Sequence, residues 1–363
     1  MKRILFTVTN DLNYDQRMIR ICSSLAAAGY RVQLLGRTKK SSPALVHQSF
    51  EQKRLGCYFE KGFAFYAEYN TRLFFYLLFA KADAFCCIDL DTMLPVYFTG
   101  KLRGKKLVYD AHEFFSQQKE IVSRPGIYRV WHFIEKTFVP GFRHGYTVSY
   151  AIAETFRRQY HVSYEVIMNA SLLKPVTGLP ENKEKNILYQ GAVNEARGLE
   201  FLIPAMAQID AQLHIYGDGN LLEQCKTLVR EHELMHKVFI HKKVLPGELE
   251  AITRQAYIGL NLVENNGLNQ YYSLANKFFD YMHALVPQVT MNFPEYRRIN
   301  EAYEIAVLID DLSETNLINS ISGLLNNSGQ YHLLKQNCVK AREAFNWQNE
   351  EKKLISFYKN IFG

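Results

Sequence analysis

The chain has 363 residues, room for two ordinary domains, and its 48% hydrophobic and 22% charged content excludes a disordered or fibrous polymer. Lys and Arg outnumber Asp and Glu by 43 to 36. The excess lies on one side: residues 1–175 hold 25 basic against 14 acidic side chains, and residues 176–363 hold 18 against 22. The longest apolar run, 73–80, is closed by Lys81 and falls far short of the roughly 20 residues a bilayer span needs. The opening segment turns polar too early for a signal-peptide core. Six cysteines form no C-x-x-C pair and no His-flanked metal pattern, as expected of reduced thiols in a cytoplasmic protein.

Residues 4–8 read as a short apolar strand of the kind buried in a parallel sheet. A polar loop follows, then a helix with Met18, Ile21, Cys22 and Leu25 at i, i+3, i+4, i+7 spacing, stopped by Gly29, then a strand over 31–35. Further strands are expected at 84–88, 106–109, 146–149 and 166–168, with a helix over 151–159. Two cationic aromatic stretches interrupt the series. In 63–81, Phe65, Tyr69, Leu73 and Tyr76 recur near helical spacing; in 124–143, Tyr128, Trp131, Phe133 and Phe138 mix with Arg129, His132, Lys136 and Arg143. Such segments either pack as a helical layer on the first sheet or lie on an anionic membrane surface. Residues 173–186, rich in Pro, Gly and charge, read as a linker. After it the βα alternation restarts, with strands at 187–190, 212–216, 238–240, 258–263, 288–291 and 307–309. The pattern predicts two doubly wound α/β domains, 1–172 and 187–342, with a terminal segment 343–363. Ligands of such sheets bind at the carboxyl ends of the strands, so the residues there carry the functional reading.

The first loop, Thr9 to Arg17, lacks G-x-G-x-x-G and so offers no seat for a dinucleotide pyrophosphate. Its Asn13, Asp15 and Arg17 suit a hydroxylated ligand, or else Asp15 caps the helix and Arg17 pairs locally. The strand at 106–109 delivers Asp110, His112 and Glu113, a histidine between carboxylates that could orient it for proton sharing. No third or fourth metal ligand stands at convincing spacing, and H-E-x-x-H is absent. In the second domain Gly191 opens a loop ending Arg197-Gly198, where a guanidinium near a helix start favours an anion. Gly217-Asp218-Gly219 is a tight turn after a strand. Further on, Ser273 or Asn276 is placed to cap a helix carrying Lys277 and, three residues later, Asp280, a pair suited to a diphosphate and a ribose.

Together, in this order and spacing, these pieces resemble the retaining GT-B-fold glycosyltransferases of glycosyltransferase family four. The resemblance runs from the Asp15-Gln-Arg17 loop through the 89–95 stretch, Tyr109-Asp110-Ala-His112-Glu113, Asn169, Gly191 to Gly198, Gly217 to Gly219 and Asn276-Lys277 to Pro287. It implies two Rossmann-like domains facing a cleft, with the helix from Phe345-Asn-Trp347 onward crossing back to the first domain. It implies His112, after the fourth strand, as the catalytic-loop histidine beside the donor sugar, with Glu113 next to it. Gly191, Arg197, Gly217, Asp218, Lys243, Asn276, Lys277 and Asp280 are implied on the donor side, with Asp280 at the ribose-binding carboxylate position, and Asn13, Asp15 and Arg17 on the acceptor side. Two positions depart from the family: Ala192 stands where an arginine usually contacts the diphosphate, and Tyr272 stands eight residues before Asp280 where a glutamate is usual. Glu264 and Lys277 are the residues placed to compensate. The implied reaction is metal-independent transfer of a sugar, with retention, from a nucleotide sugar to a glycan or lipid-linked acceptor, releasing UDP or GDP. No cofactor is implied; a peripheral anionic membrane is a possible partner. Alternatives are an epimerase of the same fold with His112-Glu113 as base, or an inactive nucleotide-sugar-binding scaffold. Nucleic acid is not expected, since no recognised motif appears.

Overall fold

The computed structural model describes residues 1–13, 15–175 and 184–363; Tyr14 of the first loop and 176–183 of the expected linker lie outside the described residues. The chain divides into two α/β units. The first comprises Met1–Asn169, Gly267–Asn269 and Glu350–Gly363, and the second comprises Ala170–Asn266 and Gln270–Asn349. The observed borders differ from the expected ones by a few residues at 172 and 343, and the short return at 267–269 has no signal in the sequence.

The first unit runs β1 (Arg3–Thr7), α1 (Gln16–Ala27), β2 (Arg31–Thr38), β3 (Glu51–Gly56), α2 (Gly62–Phe79), β4 (Ala84–Ile88), α3 (Met93–Leu102), β5 (Lys106–Ala111), α4 (Lys119–Val122), α5 (Pro125–Phe138), β6 (His144–Thr147), α6 (Tyr150–Tyr160) and β7 (Glu165–Val166). Its seven strands are parallel in the order β3-β2-β1-β4-β5-β6-β7. Strands β1 and β4 pair centrally, with Phe6 opposite Cys86, and their apolar runs are buried on both faces. Asp15 caps α1, its Oδ1 accepting from Met18 N at 3.0 Å, and Gly29 ends the turn with φ +90°. Strand β3 was not expected. It is an edge strand whose Glu51, Lys53 and Arg54 replace the apolar alternation that identifies interior strands.

The second unit runs β8 (Asn186–Ala192), α7 (Leu199–Ala205), β9 (Gln212–Asp218), α8 (Leu222–Glu231), β10 (Val238–His241), α9 (Pro246–Gln255), β11 (Ile258–Asn261), the second half of α10 (Leu268–Tyr271), α11 (Asn276–His283), β12 (Gln288–Met291), α12 (Pro294–Tyr303), β13 (Ala306–Ile309), α13 (Glu314–Asn326) and α14 (Ser328–Ala344); α15 (Trp347–Phe362) ends the chain. Its six parallel strands are ordered β10-β9-β8-β11-β12-β13. Each sheet therefore reverses its winding at the first strand, between β1 and β4 and between β8 and β11, which makes the loops after these strands the natural ligand-binding edge. Asn346 Oδ1 accepts from Asn349 N at 3.0 Å at the start of α15. From Glu350 onward the helix belongs to the first unit: Glu350 accepts from Met168 N at 2.8 Å, and Tyr358 meets Phe6 with ring centroids 6.1 Å apart.

The aromatic stretches are helices, with aromatic side chains both toward the sheet and away from it. Phe65, Tyr69 and Leu73 are buried on the sheet side of α2, while Phe63, Phe75 and Phe79 face outward. In α5, Ile134 and Glu135 are buried and Phe133 is exposed. Burial pushes the Glu135 carboxyl up to about 7, against hydrogen bonds from Ser116 Oγ at 2.5 Å and Tyr160 OH at 3.0 Å. Because its folded-state value lies above the unfolded one, its contribution to stability is complete below about pH 4.5 and is lost as pH rises through about 7. The expected result is that Glu135→Gln costs stability at pH 5 and costs less, or gains stability, at pH 8, where the parent holds a buried charge that the variant lacks. Urea unfolding at the two pH values checks it; a pH-independent difference would return Glu135 to an ordinary core contact.

Candidate functional site

In the second unit, Lys277 stands in the first turn of α11. The helix has Ala275 as its N-cap residue and no side-chain cap: Ala275 N donates instead to Tyr296 OH at 3.1 Å. Neither expected cap serves. Ser273 Oγ turns back to donate to Gln270 O at 2.7 Å, and Asn276 is already helical, so its side chain starts too late to reach the N2 and N3 amides. The Lys277 ammonium lies 3.8 Å from the centre of the Tyr189 ring, shut off from solvent, and makes no hydrogen bond to any described residue. Burial, and secondarily the charge of Arg197, hold it well below the usual lysine range, with Asp280 pulling the other way. Gly191 passes beside it: with φ +118° only glycine fits there comfortably, and a Cβ would sit 3.6 Å from Lys277 Cε.

Arg197 is half-buried between Ala196 and Gly198, both left-handed at φ +63° and +72°. The helix it precedes has seven residues and contains Pro204, so its dipole adds little, and the cationic character rests on Arg197 and Lys277. Glu264 N donates to Ala196 O at 3.1 Å, which brings Glu264 to this loop. Asp280 is held at both oxygens, Oδ1 accepting from Ser171 Oγ at 2.7 Å and Oδ2 from Gln190 Nε2 at 3.1 Å; Gln190 Oε1 in turn accepts from Thr253 Oγ1 at 2.7 Å. Gly217 is required by its neighbour, since a Cβ there would lie 1.9 Å from Gly191 O. Asp218 is exposed and accepts from Gly219 N at 2.8 Å, and Lys243 is exposed after β10. Sequence reading assigned no role to the Tyr189 ring or to the Gln190–Thr253 link. Both are polar-tipped residues at the end of an apolar strand, the signal that was there to follow.

In the first unit, the missed strand makes His112 follow the fifth strand in chain order rather than the fourth. Its ring is half-buried and makes no hydrogen bond to a described residue. Burial and the charge of Arg17 lower its pKa below the usual histidine value, opposed by Glu113, Asp110 and Asp15, so the imidazole is neutral at neutral pH. The flanking carboxylates do not orient it. Asp110 is bound to Arg17 at 2.8 Å, and Glu113 Oε2 accepts from Gln118 Nε2 at 2.6 Å and from Asn269 Nδ2 at 3.3 Å. Asn269 Oδ1 also accepts from Phe114 N at 2.9 Å, which ties residues 267–269 to the His112 loop.

The acceptor-side residues carry structural bonds. Asp15 caps α1 and accepts from Asn10 Nδ2 at 3.0 Å, and Asn13 holds the backbone at Ala44 and Val46. Arg17, expected to face an acceptor or to pair locally, is instead 4% exposed in a long-range ion pair; a guanidinium so enclosed is out of reach of a ligand. The 89–95 stretch contributes two acids without an assigned role. Asp91 accepts from Thr9 Oγ1 at 2.5 Å and is pushed up to about 6 by burial. Asp89, at φ +53°, accepts from Glu113 N at 3.1 Å and is raised well above the carboxylate range by burial, then by Glu113, Asp91 and Asp110. Among the described residues no group of three or more His, Cys, Asp and Glu is arranged to hold a metal ion.

Residues 174–341 match the family model "Glycosyl transferases group 1". Sucrose-phosphate synthase from Thermosynechococcus elongatus superposes at TM-score 0.81 with 17% identity, over 100% of this chain and 99% of that one. HepE from Anabaena, solved with UDP-glucose, superposes at 0.80 with 12% identity, over 99% and 100%. WaaG, a glycosyltransferase involved in lipopolysaccharide biosynthesis, superposes at 0.74 with 13% identity, over 97% and 98%. The architecture is that of the GT-B fold. No curated protein matches the chain in sequence.

Proposed function

We propose, from the premise that residues 174–341 of this GT-B-fold chain match the model of the glycosyl transferases group 1, that the protein transfers a sugar from a nucleoside-diphosphate donor to a glycan or lipid-linked acceptor with retention at the anomeric carbon. The observation that carries the donor side is the Lys277 ammonium, buried over Tyr189 without a hydrogen bond. A buried cation left in that state costs free energy, and a phosphate oxygen supplies both the missing acceptor and the countercharge. Lys277 and Arg197 then hold the diphosphate, in place of the arginine absent at Ala192, and Asp280, fixed by Ser171 and Gln190, accepts from ribose hydroxyls. The diphosphate of HepE's UDP-glucose is the ligand class that supports this reading.

In the reaction the glycosidic C–O bond to the β-phosphate breaks and its electron pair stays on the phosphate, where the two cations stabilise the developing charge. The acceptor hydroxyl bonds to the anomeric carbon on the face the leaving group vacates, and its proton passes to a phosphate oxygen. His112, neutral and without a hydrogen bond to a described residue, positions the donor sugar by donating a hydrogen bond. The chemistry needs no metal or cofactor, and the acceptor is taken up at a membrane or glycan surface.

The test is Lys277→Met, which keeps an unbranched side chain one atom shorter and removes the charge. UDP or GDP binding should weaken by about 1.5–3 kcal/mol in calorimetry, while the unliganded protein is as stable as the parent or more so. In the parent, binding should weaken as pH rises, because the diphosphate raises a lysine pKa that the empty site holds down; the variant should show no such dependence. Unchanged affinity would remove the donor-site assignment. Binding without turnover of any nucleotide sugar would leave the scaffold reading.

A further inference from the structure

The two units differ in what they expose. With 27 Lys and Arg against 16 Asp and Glu the first unit carries +11; the second, with 16 against 20, carries −4. Among the described residues, eight exposed aromatic side chains belong to the first unit and one, Phe201, to the second. Seven of the eight lie in the helices α2, α3 and α5 or in the turn leading to α2. These helices form one layer, joined by Tyr66 against Trp131 and by Phe98 against Phe138, with ring centroids 5.4 and 5.6 Å apart.

The outward side of that layer is apolar where a solvated helix is polar. On α2, Phe63, Phe75 and Phe79 stand at 86, 58 and 83% exposure along a stripe completed by Ala67 and Thr71. Phe98 and Leu102 do the same on α3, and Phe133, 65% exposed, on α5. Monomeric proteins rarely leave so many large side chains in water without a use. Their charged companions are of one sign. The three helices contain only two acids: Glu135 is buried, and Glu68 is occupied by Arg72 at 2.8 Å and by the amides of Tyr58 and Phe59. Lys101, Arg129 and Lys136 face outward with no carboxylate in ion-pair reach among the described residues. No helix of the described residues is long and apolar enough to cross a bilayer, so the layer fits insertion only to the depth of its side chains.

We propose that the outer face of α2, α3 and α5 is a docking surface for an anionic lipid bilayer, with the phenylalanines in the interface and the three unpaired cations at the headgroups. Aromatic rings are at home at that depth, and each cation near an anionic surface adds to the attraction. A second copy of this chain fits less well, because the cations of two such faces would be brought together with no acid to meet them. The proposal is independent of the transferase reading, whose donor residues lie in the other unit.

The experiment is co-sedimentation of the full chain with vesicles of pure phosphatidylcholine and of phosphatidylcholine containing a third phosphatidylglycerol. Binding is expected to the anionic vesicles only and to fall with added salt. The double variants Phe75→Ser/Phe79→Ser and Arg129→Gln/Lys136→Gln should each lower the partition coefficient at least about tenfold, while circular dichroism and UDP affinity stay those of the parent. Equal pelleting with both vesicles, pelleting with neither at low salt, or variants that bind like the parent would each overturn the proposal. So would sedimentation equilibrium showing a dimer that these substitutions dissolve, which assigns the face to a second copy. Loss of UDP binding in the Lys277→Met variant with vesicle binding intact, or the reverse, separates the two readings.

Discussion

Arg17→Ala is expected to lose about 3–5 kcal/mol of folding free energy in urea unfolding, the largest stability effect of any single change considered. Arg17 and Asp110 are both buried, at 4 and 0% exposure, and bonded at 2.8 Å between α1 and the end of β5. Removing the guanidinium leaves the Asp110 carboxylate without its countercharge in a place water does not reach, since its Oδ2 already has no hydrogen-bond partner. The cost is that of the stranded charge rather than of the lost contact, so Arg17→Met with Asp110→Leu should recover most of it. Because Arg17 belongs to the first unit and the donor residues to the second, UDP affinity of the single variant should be that of the parent. A loss below 1 kcal/mol would mean that Asp110 is solvated or protonated without its partner.

His112→Ala should lower turnover by about 10²–10³-fold, the usual effect of removing one donor aimed at a charged transition state, while leaving UDP binding nearly intact. The lowered pKa adds a pH signature. A histidine that is neutral across the neutral range contributes evenly there, and its contribution changes only in more acid solution, where protonation charges the ring and alters the field around Asp110 and Glu113. The variant should lack that acid limb. Near-normal transfer by His112→Ala, or an unchanged acid limb, would return the 110–113 loop to a structural role, and Glu113 with it, since its carboxylate is already taken up by Gln118 and Asn269.

Interior strands were readable because a strand buried on both faces must be an apolar run, as in 4–8, 84–88 and 288–291, and helix α1 was readable because one buried side imposes 3.6-residue spacing. The same rule hid β3: an edge strand needs no apolar run, and Glu51 to Gly56 reads as loop. Helix α2 was ambiguous for a related reason: aromatics on two sides of one helix give no single period, so the inward set, Phe65, Tyr69 and Leu73, does not stand out from the outward one. At the site, the types and spacing of Arg197, Lys277 and Asp280 pointed to an anion and a sugar. Their partners did not show: Tyr189 under Lys277 is 88 residues away in the chain, and Gln190 and Ser171 on Asp280 are 90 and 109 residues away.

By itself the sequence determined the two-unit α/β architecture, the strand ends at which ligands bind, and the cationic character of the first half, because hydrophobic period and charge are properties of neighbours along the chain. Only the tertiary structure decided which polar groups are spent and which are free. Arg17 and Asp110 are consumed in a bond across the first unit and Glu113 by Gln118 nearby and Asn269 far along the chain, whereas Lys277 and His112 are left without hydrogen bonds to described residues. The physical reason is that burial and pairing are set by residues 80 to 160 positions apart, and no local pattern records which of several candidate charges will find its partner there.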